Sequence, residues 1–302
     1  MDANSEAPSL TLQAPAKVNL RLEVLNRRED GYHDLHMLMA PVSLCDTLRL
    51  RTLPEPGHIQ VTLAGAAAAV APGADNLCHG AARFYFAETG VQGGVAVELT
   101  KRVPAGAGLG GGSSDAAATV LGLERLYGRQ LSAAARRRAA FAVGADVPFF
   151  FARAPAWVGG IGEVVEPVAE LEAVWMVLVF PGVFLSTPKV FSLLRRRLTT
   201  PRRPPTIAQF NFRGLVAGLY NELQAPALEV EPAVGVALDA LSAAGAAGQL
   251  MSGSGSAVFG LFADVGQART AADEVSRHPQ AAAWQIEVVH TLAPGAFPFP
   301  AA

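Results

Sequence analysis

Alternation of apolar and polar residues dominates the first part of the chain. Leu20, Leu22 and Val24 alternate with Arg21 and Glu23, and Leu48 and Leu50 with Arg49 and Arg51. Ile59, Val61 and Leu63 alternate with Gln60 and Thr62. A period of two with polar partners predicts half-buried antiparallel strands across residues 10–63. Asp75-Asn76 then offers a helix N-cap, and a helix is predicted over 77–88. Val95, Val97 and Leu99 alternate again and predict a strand that feeds a glycine-rich segment. Beyond that segment, Val120, Leu123 and Tyr127 mark one helix face. Ser132 caps a further helix, on which Arg136, Arg137 and Arg138 point around the axis and read as a solvated surface.

The pattern changes near residue 155. A short buried strand is predicted at 177–180, a helix at 192–198 and a Pro/Arg-rich connecting loop at 199–205. Helices follow at 215–224 and 233–244, a strand at 257–262, a helix at 265–278 and a strand at 284–292. The Pro/Ala-rich tail, 293–302, reads as frayed. The expected division is into residues 1–158 and 159–302, each mixing strands and helices in an α+β arrangement, with no internal repeat.

Composition narrows the class. The 302 residues accommodate one large domain or two ordinary ones. With 51% apolar residues and a net charge of −2, the chain reads as a compact protein with a large core, and a nucleic-acid partner is not expected. No apolar run reaches the roughly 18 residues of a spanning helix. Without such a run no membrane partner is expected, and with residues 1–9 polar and acidic no signal peptide is expected. The two cysteines, Cys45 and Cys78, are too few for a disulfide framework or a metal cluster, and predict reduced thiols in a cytoplasmic protein.

The candidate chemistry begins in the stretch from Arg102 to Asp115, where five glycines occupy the seven positions Gly106 to Gly112 and two hydroxyls follow. Such a loop brings backbone N–H groups close to a ligand, and a helix starting at its end adds unpaired donors and a positive dipole end. The natural guest is an anion, most often phosphate. A P-loop is excluded because no lysine follows the glycines. Gly106, Gly108 and Gly111 match G-x-G-x-x-G literally. The dinucleotide reading nevertheless needs a second parallel strand ending in an acid, whereas here the helix runs into Gly128 and another helix.

The third reading is a resemblance. Pro104, Gly106, Gly108, Leu109, Gly110, Gly111, Gly112, Ser113 and Ser114 resemble the ATP loop of the GHMP kinases. Ala14-Pro15-Ala16-Lys17-Val18-Asn19-Leu20 resembles the first motif of that superfamily and Met251-Ser252-Gly253-Ser254-Gly255-Ser256-Ala257 the third, in the right order. Arg27-Arg28-Glu29-Asp30-Gly31-Tyr32-His33, Gly144-Ala145-Asp146-Val147-Pro148-Phe149-Phe150 and Thr187-Pro188-x-x-Phe191 resemble the 4-diphosphocytidyl-2-C-methyl-D-erythritol kinase branch. Asn26, where a glycine is common, and Ser254, where threonine is common, are small departures.

The resemblance implies a two-domain α+β fold, with an N-terminal domain like domain 2 of ribosomal protein S5 and a C-terminal ferredoxin-like α/β sandwich. It implies a monomer or weak homodimer that uses ATP and Mg2+ to phosphorylate the 2-hydroxyl of a small cytidyl diphosphate substrate. Asp146 is then the base that accepts the hydroxyl proton, its basicity raised by Val147, Phe149 and Phe150, and Lys17 holds it ionised and offsets phosphoryl charge. Asn19, on the same strand face as Lys17, binds the alcohol end of the substrate. Tyr32 and Phe191 sandwich the cytosine ring, His33 bonds its edge, and Thr187 lies near the phosphorylation site. The phosphates lie on Gly108 to Ser114 with both serine hydroxyls helping. Asn76 and Lys101 line the adenine pocket, and Gly253, Ser254 and Gly255 close the cleft. Ser113 is the candidate Mg2+ contact, no metal ligand being otherwise assigned, and Asp115 reads as helix-start chemistry. Each residue also has an ordinary reading: a loop cap for Asp146, an edge charge for Lys17, an N-cap for Asn76, core for Phe191. Another small-molecule GHMP kinase, a non-catalytic regulator on the same scaffold and a nucleotide-dependent oxidoreductase remain the alternatives.

Overall fold

The computed structural model describes residues 7–64, 73–194, 209–294 and 297. The alternating segment forms two long antiparallel strands, β1 (Ser9–Arg27) and β2 (His33–Leu53). β3 (Ile59–Ala64) instead pairs in parallel with β4 (Gly94–Thr100). The antiparallel expectation fails there because α1 (Leu77–Thr89) lies between them as a crossover. Asn76 caps α1, its side chain accepting from the Cys78 N–H at 2.9 Å.

Beyond the glycine loop come α2 (Gly111–Tyr127), α3 (Ala133–Ala142), capped by Ser132, and the short α4 (Val147–Ala152). β5 (Ala156–Gly160) pairs with β2, and β6 (Val164–Pro167) with β5. Neither strand was expected, and position 158 lies inside β5, within the first sheet. β7 (Trp175–Phe180) belongs to the second sheet. α5 (Thr187–Ser192) starts before the helix expected at 192–198. Pro188 sits in its first turn, where a missing N–H leaves no helical bond unmade. Residues 195–198, the Pro/Arg loop and most of the tail lie outside the described residues.

The helix expected at 215–224 is divided into α6 (Phe212–Gly218), the strand β8 (Tyr220–Asn221) and α7 (Gln224–Val230). Pairing of Arg21 with Tyr220 and Leu22 with Asn221 across β1 and β8 overrides the helical period. α8 (Ala233–Ala243), β9 (Gly248–Met251), β10 (Val258–Phe262), α9 (Val265–Val275) and β11 (Gln285–His290) complete the chain. The second sheet runs β11-β7-β10-β9, all antiparallel, in a β-α-β-β-α-β order with α8 and α9 as the linking helices.

The centre of β1 is buried on both faces rather than half-buried. Its register with β2 is irregular between Pro15 and Lys17 and again between Asn19 and Arg21. Each irregularity exchanges the faces. Leu12 and Ala14 join one core cluster, Ala16, Val18 and Leu20 the other, and Leu22 and Val24 the first again. The second cluster binds Val18 and Leu20 to Met176, Leu178, Phe259 and Leu261 of the second sheet. The two sheets therefore share a core, and Lys17 and Asn19 point away from it toward the glycine loop. Cys45 is half-buried and Cys78 buried, both as free thiols. Among the described residues no helix is long and apolar enough to cross a membrane.

Candidate active site

β4 delivers the chain into the glycine loop, and α2 begins inside the glycine run at Gly111, after Gly110 in the left-handed region (φ +67°). Gly108 also has a positive φ, +77°, and a Cβ there would strike the Ser252 carbonyl oxygen. The third motif is thus seated directly on the second. Ser252 Oγ donates to Gly108 O (2.9 Å), the Asn19 N–H donates to Ser252 Oγ (3.2 Å), and the Ala257 N–H donates to Ala107 O (3.0 Å). All three sequence motifs meet at this point, although they are separated by most of the chain.

A cavity of about 390 Å3 opens over the loop. Asn76, Lys101, Pro104 and every predicted loop residue except Leu109 and Ser114 line it. Leu109 is a core side chain that presents only its carbonyl, which accepts from the Lys17 N–H at 2.9 Å. Ser114 is wholly buried, and its N–H donates to Gly110 O at 2.9 Å. Neither of its polar groups reaches the cavity, against the expectation that both serine hydroxyls serve the phosphates. The physical reason is the early helix start, which turns Ser114 inward while Ser113 stays at the mouth.

Lys17 is 4% exposed, and its Nζ donates to Asn19 Oδ1 (2.6 Å) and Gly108 O (2.8 Å). Asp146 Oδ2 lies 3.8 Å from the same nitrogen, and the Asp146 side chain keeps 27% of its surface. Burial pushes the Lys17 ammonium below the usual lysine range, and the charge of Asp146 partly offsets that. Asp146 stands at the N-cap position of α4, although its side chain makes no capping bond. Asn19 is 1% exposed and spends its oxygen on Lys17 and its amide on Met37 Sδ (3.3 Å). Its place is beside the ammonium rather than in the open cleft.

A second cavity, about 990 Å3, reaches Ala145, the residue before Asp146. Ala145, Tyr32, His33, Thr187 and Phe191 line it, together with Arg27, Arg28 and Ile161. Phe191 is stacked on His33 (4.7 Å between centroids) rather than facing Tyr32, which is 59% exposed. Burial, with Arg27 nearby, lowers the His33 pKa, so the ring is neutral near pH 7. Thr187 Oγ1 and Ser254 Oγ share a hydrogen bond of 2.7 Å, joining the second cavity to the third motif. Gly253 and Gly255 line neither cavity and act through close approach: a Cβ on Gly253 would lie 3.2 Å from Gly108 O and 3.3 Å from Lys17 Nζ. Asn221 holds this turn from behind, its amide donating to Met251 O and Gly253 O, each at 2.8 Å.

Sequence reasoning missed a buried ion cluster beneath the loop. Lys101 Nζ donates to Asp46 Oδ2 and, at 2.8 Å, to Asp115 Oδ2. Asp46 Oδ1 also accepts from the Val103 N–H (2.9 Å). Lys101 is therefore a clamp between β2, the loop and α2, with its ammonium already engaged. Asp115 belongs to that clamp, in the second turn of α2, and not to the helix start. Burial, reinforced by Asp46, pushes its carboxyl up to about 8. Arg136 likewise departs from a solvated reading, pairing with Glu124 at 2.8 Å. Only lone acids at Asp46 and Asp115 in apolar surroundings signalled the cluster.

Comparisons with known proteins agree with this geometry. Residues 76–153 match the family described as GHMP kinases N terminal domain, and residues 205–281 the GHMP kinases C terminal family. The 4-diphosphocytidyl-2-C-methyl-D-erythritol kinase of Geobacter metallireducens is 42% identical over 94% of this chain and 99% of its own. That of Syntrophotalea carbinolica is 42% identical over 92% and 98%. A crystal structure of 4-(cytidine 5'-diphospho)-2C-methyl-D-erythritol kinase superposes with a TM-score of 0.77 at 38% identity, covering 93% of this chain and 99% of that one. With both halves of the fold matched and near full-length relatives at this identity, the chain belongs to the GHMP kinase family, in its 4-diphosphocytidyl-2-C-methyl-D-erythritol kinase branch.

Proposed function

We propose that the protein transfers the γ-phosphoryl group of ATP to the 2-hydroxyl of 4-diphosphocytidyl-2-C-methyl-D-erythritol. The observation that carries this is the Lys17–Asp146 pair, whose lysine bonds the Gly108 carbonyl of the glycine-loop cavity and whose aspartate adjoins Ala145 of the cavity lined by His33 and Phe191. A triphosphate fits the first, where backbone N–H groups at the start of α2 face an anion. A flat, polar base fits the second, whose lining offers the exposed Tyr32 ring and the stacked His33–Phe191 pair as aromatic faces.

Asp146 takes the proton of the acceptor hydroxyl as the oxygen–phosphorus bond forms and ADP departs. Lys17, fixed by Asn19 and Gly108, offsets the charge that accumulates on the transferring group. Mg2+ fits the same reading: Ser113 presents a hydroxyl to the nucleotide cavity, and glycine at 144 leaves it uncovered, since a Cβ there would lie 3.3 Å from Ser113 Oγ. The ion supplies charge neutralisation of the phosphates, and Ser113 is the side chain that would hold it.

The experiment is a panel of acceptors with ATP and Mg2+, read by ADP formation. The cytidyl substrate alone should support turnover. Turnover with homoserine or mevalonate but not with the cytidyl substrate would move the protein to another branch, and no turnover with any acceptor would favour a non-catalytic role.

A further inference from the structure

Asp146 does not owe its position to α4 alone. The turn that precedes it is gripped from two sides. On one side Gly144 abuts the start of α2, with the site of a Cβ 3.3 Å from Ser113 Oγ. On the other, the turn between β5 and β6 presses against Ala145: a Cβ on Gly162 would overlap the Ala145 carbonyl oxygen. Gly162 is buried and has φ +140°, a conformation that L side chains rarely adopt.

The β5–β6 turn is itself held closed by one side chain. Glu163 Oε2 accepts from the Ile161 N–H (2.7 Å) and the Gly162 N–H (3.1 Å), and the Gly162 N–H also bonds Gly159 O (3.1 Å). Gly160, at φ +66°, leaves the room into which the Glu163 carboxylate folds. Two backbone donors on one carboxylate fix the turn more firmly than the antiparallel pairing of two short strands does alone.

We infer that the turn from Gly160 to Glu163 is the positioning element for Asp146, with Glu163 locking the turn and Gly162 transmitting its position through the Ala145 carbonyl. This rests on the base role proposed for Asp146 above. Neither residue touches the reacting atoms. They set how far the carboxylate stands from Lys17 Nζ, 3.8 Å in the resting protein. Displacements on the ångström scale at a reacting group cost about 10²-fold in rate, so the turn has leverage on kcat without contacting ATP.

The test compares Gly162→Ala, Glu163→Ala and Glu163→Gln with the wild type in steady-state kinetics, alongside a crystal structure of Gly162→Ala. The expected result is a fall in kcat of about ten-fold or more for Gly162→Ala and Glu163→Ala, with KM for ATP unchanged and partial recovery in Glu163→Gln, whose amide oxygen still accepts a bond. The crystal structure should show a longer Lys17–Asp146 separation. A merely structural role would lower the melting temperature and leave kcat of the folded enzyme alone. Wild-type kcat in both alanine variants, or an unmoved Asp146 in the crystal, overturns the inference. Absence of wild-type turnover with the cytidyl substrate would instead overturn the proposed function, and the crystallographic separation would still decide the positioning claim.

Discussion

Replacing Lys17 by methionine removes the ammonium and preserves most of the side-chain volume. The change strands one acceptor, Asn19 Oδ1, which loses a bond of 2.6 Å, while Gly108 O loses one of 2.8 Å and keeps the bond from Ser252 Oγ. The stranded acceptor costs about 1–3 kcal/mol. Against this, the folded protein no longer desolvates an ammonium that is 4% exposed, a relief of several kcal/mol. The terms oppose each other, so folding stability should shift by no more than about 2 kcal/mol. Catalysis has no such compensation. Losing one charge aimed at the transferring group costs about 2.7–4 kcal/mol, or 10²–10³-fold in kcat. KM for ATP should change little, because the loop holds the phosphates through its backbone.

A coupled ADP assay at saturating ATP and acceptor measures the first quantity, and chemical denaturation the second. The pH profile adds a separate readout. Because burial lowers the Lys17 pKa, kcat/KM of the wild type should fall on the alkaline side before the ordinary lysine value of 10.5. In that interval the unfolded chain binds a proton that the folded protein has released, so the contribution of Lys17 to stability rises with pH and the loss of activity is not unfolding. Lys17→Met should lack this limb. A kcat within about three-fold of wild type would refute the role given to the ammonium.

Asp146→Asn should retain nucleotide binding, measured by calorimetry, while kcat falls by about 10²–10⁴-fold; an unchanged kcat removes Asp146 from the base role. Lys101→Ala leaves Asp46 and Asp115 buried together without their cation and should cost about 3–5 kcal/mol in denaturant unfolding, with a loss below about 1 kcal/mol contradicting the clamp. The raised Asp115 pKa means that the folded protein keeps a proton the unfolded chain gives up above 3.8, so this group's stabilisation is present at low pH and lost as pH rises toward about 8. Asp115→Asn should flatten that part of the stability profile, and an identical slope in the variant would contradict the assignment.

Much of the site was legible because it depends on local chemistry. The glycine run needs no tertiary information to read as an anion loop, and Asn76 and Ser132 cap helices where their side chains predict. Lys17 and Asn19 share a strand face by simple alternation. What alternation could not supply was the direction of that face, which depends on two register irregularities in β1. Likewise, Ser113 and Ser114 are equivalent on paper, and only the start of α2 at Gly111 separates an accessible hydroxyl from a buried one. β5, β6, β8 and β9 are short; β6 and β9 are decided by hairpin pairing with β5 and β10, and β5 and β8 by β2 and β1, distant in the chain. The same holds for Lys101, which reads as a surface lysine until Asp46, 55 positions away, is brought against it. Asn221 escapes notice for that reason as well, since the partners of its amide are backbone carbonyls of the third motif.

Phosphorus NMR of the product mixture tests the central claim most directly. With ATP, Mg2+ and the cytidyl substrate, the protein should generate ADP together with a new phosphomonoester resonance on the methylerythritol moiety while the cytidyl diphosphate signals persist. Inorganic phosphate without a new ester, or cleavage of the diphosphate, would contradict phosphoryl transfer to the alcohol.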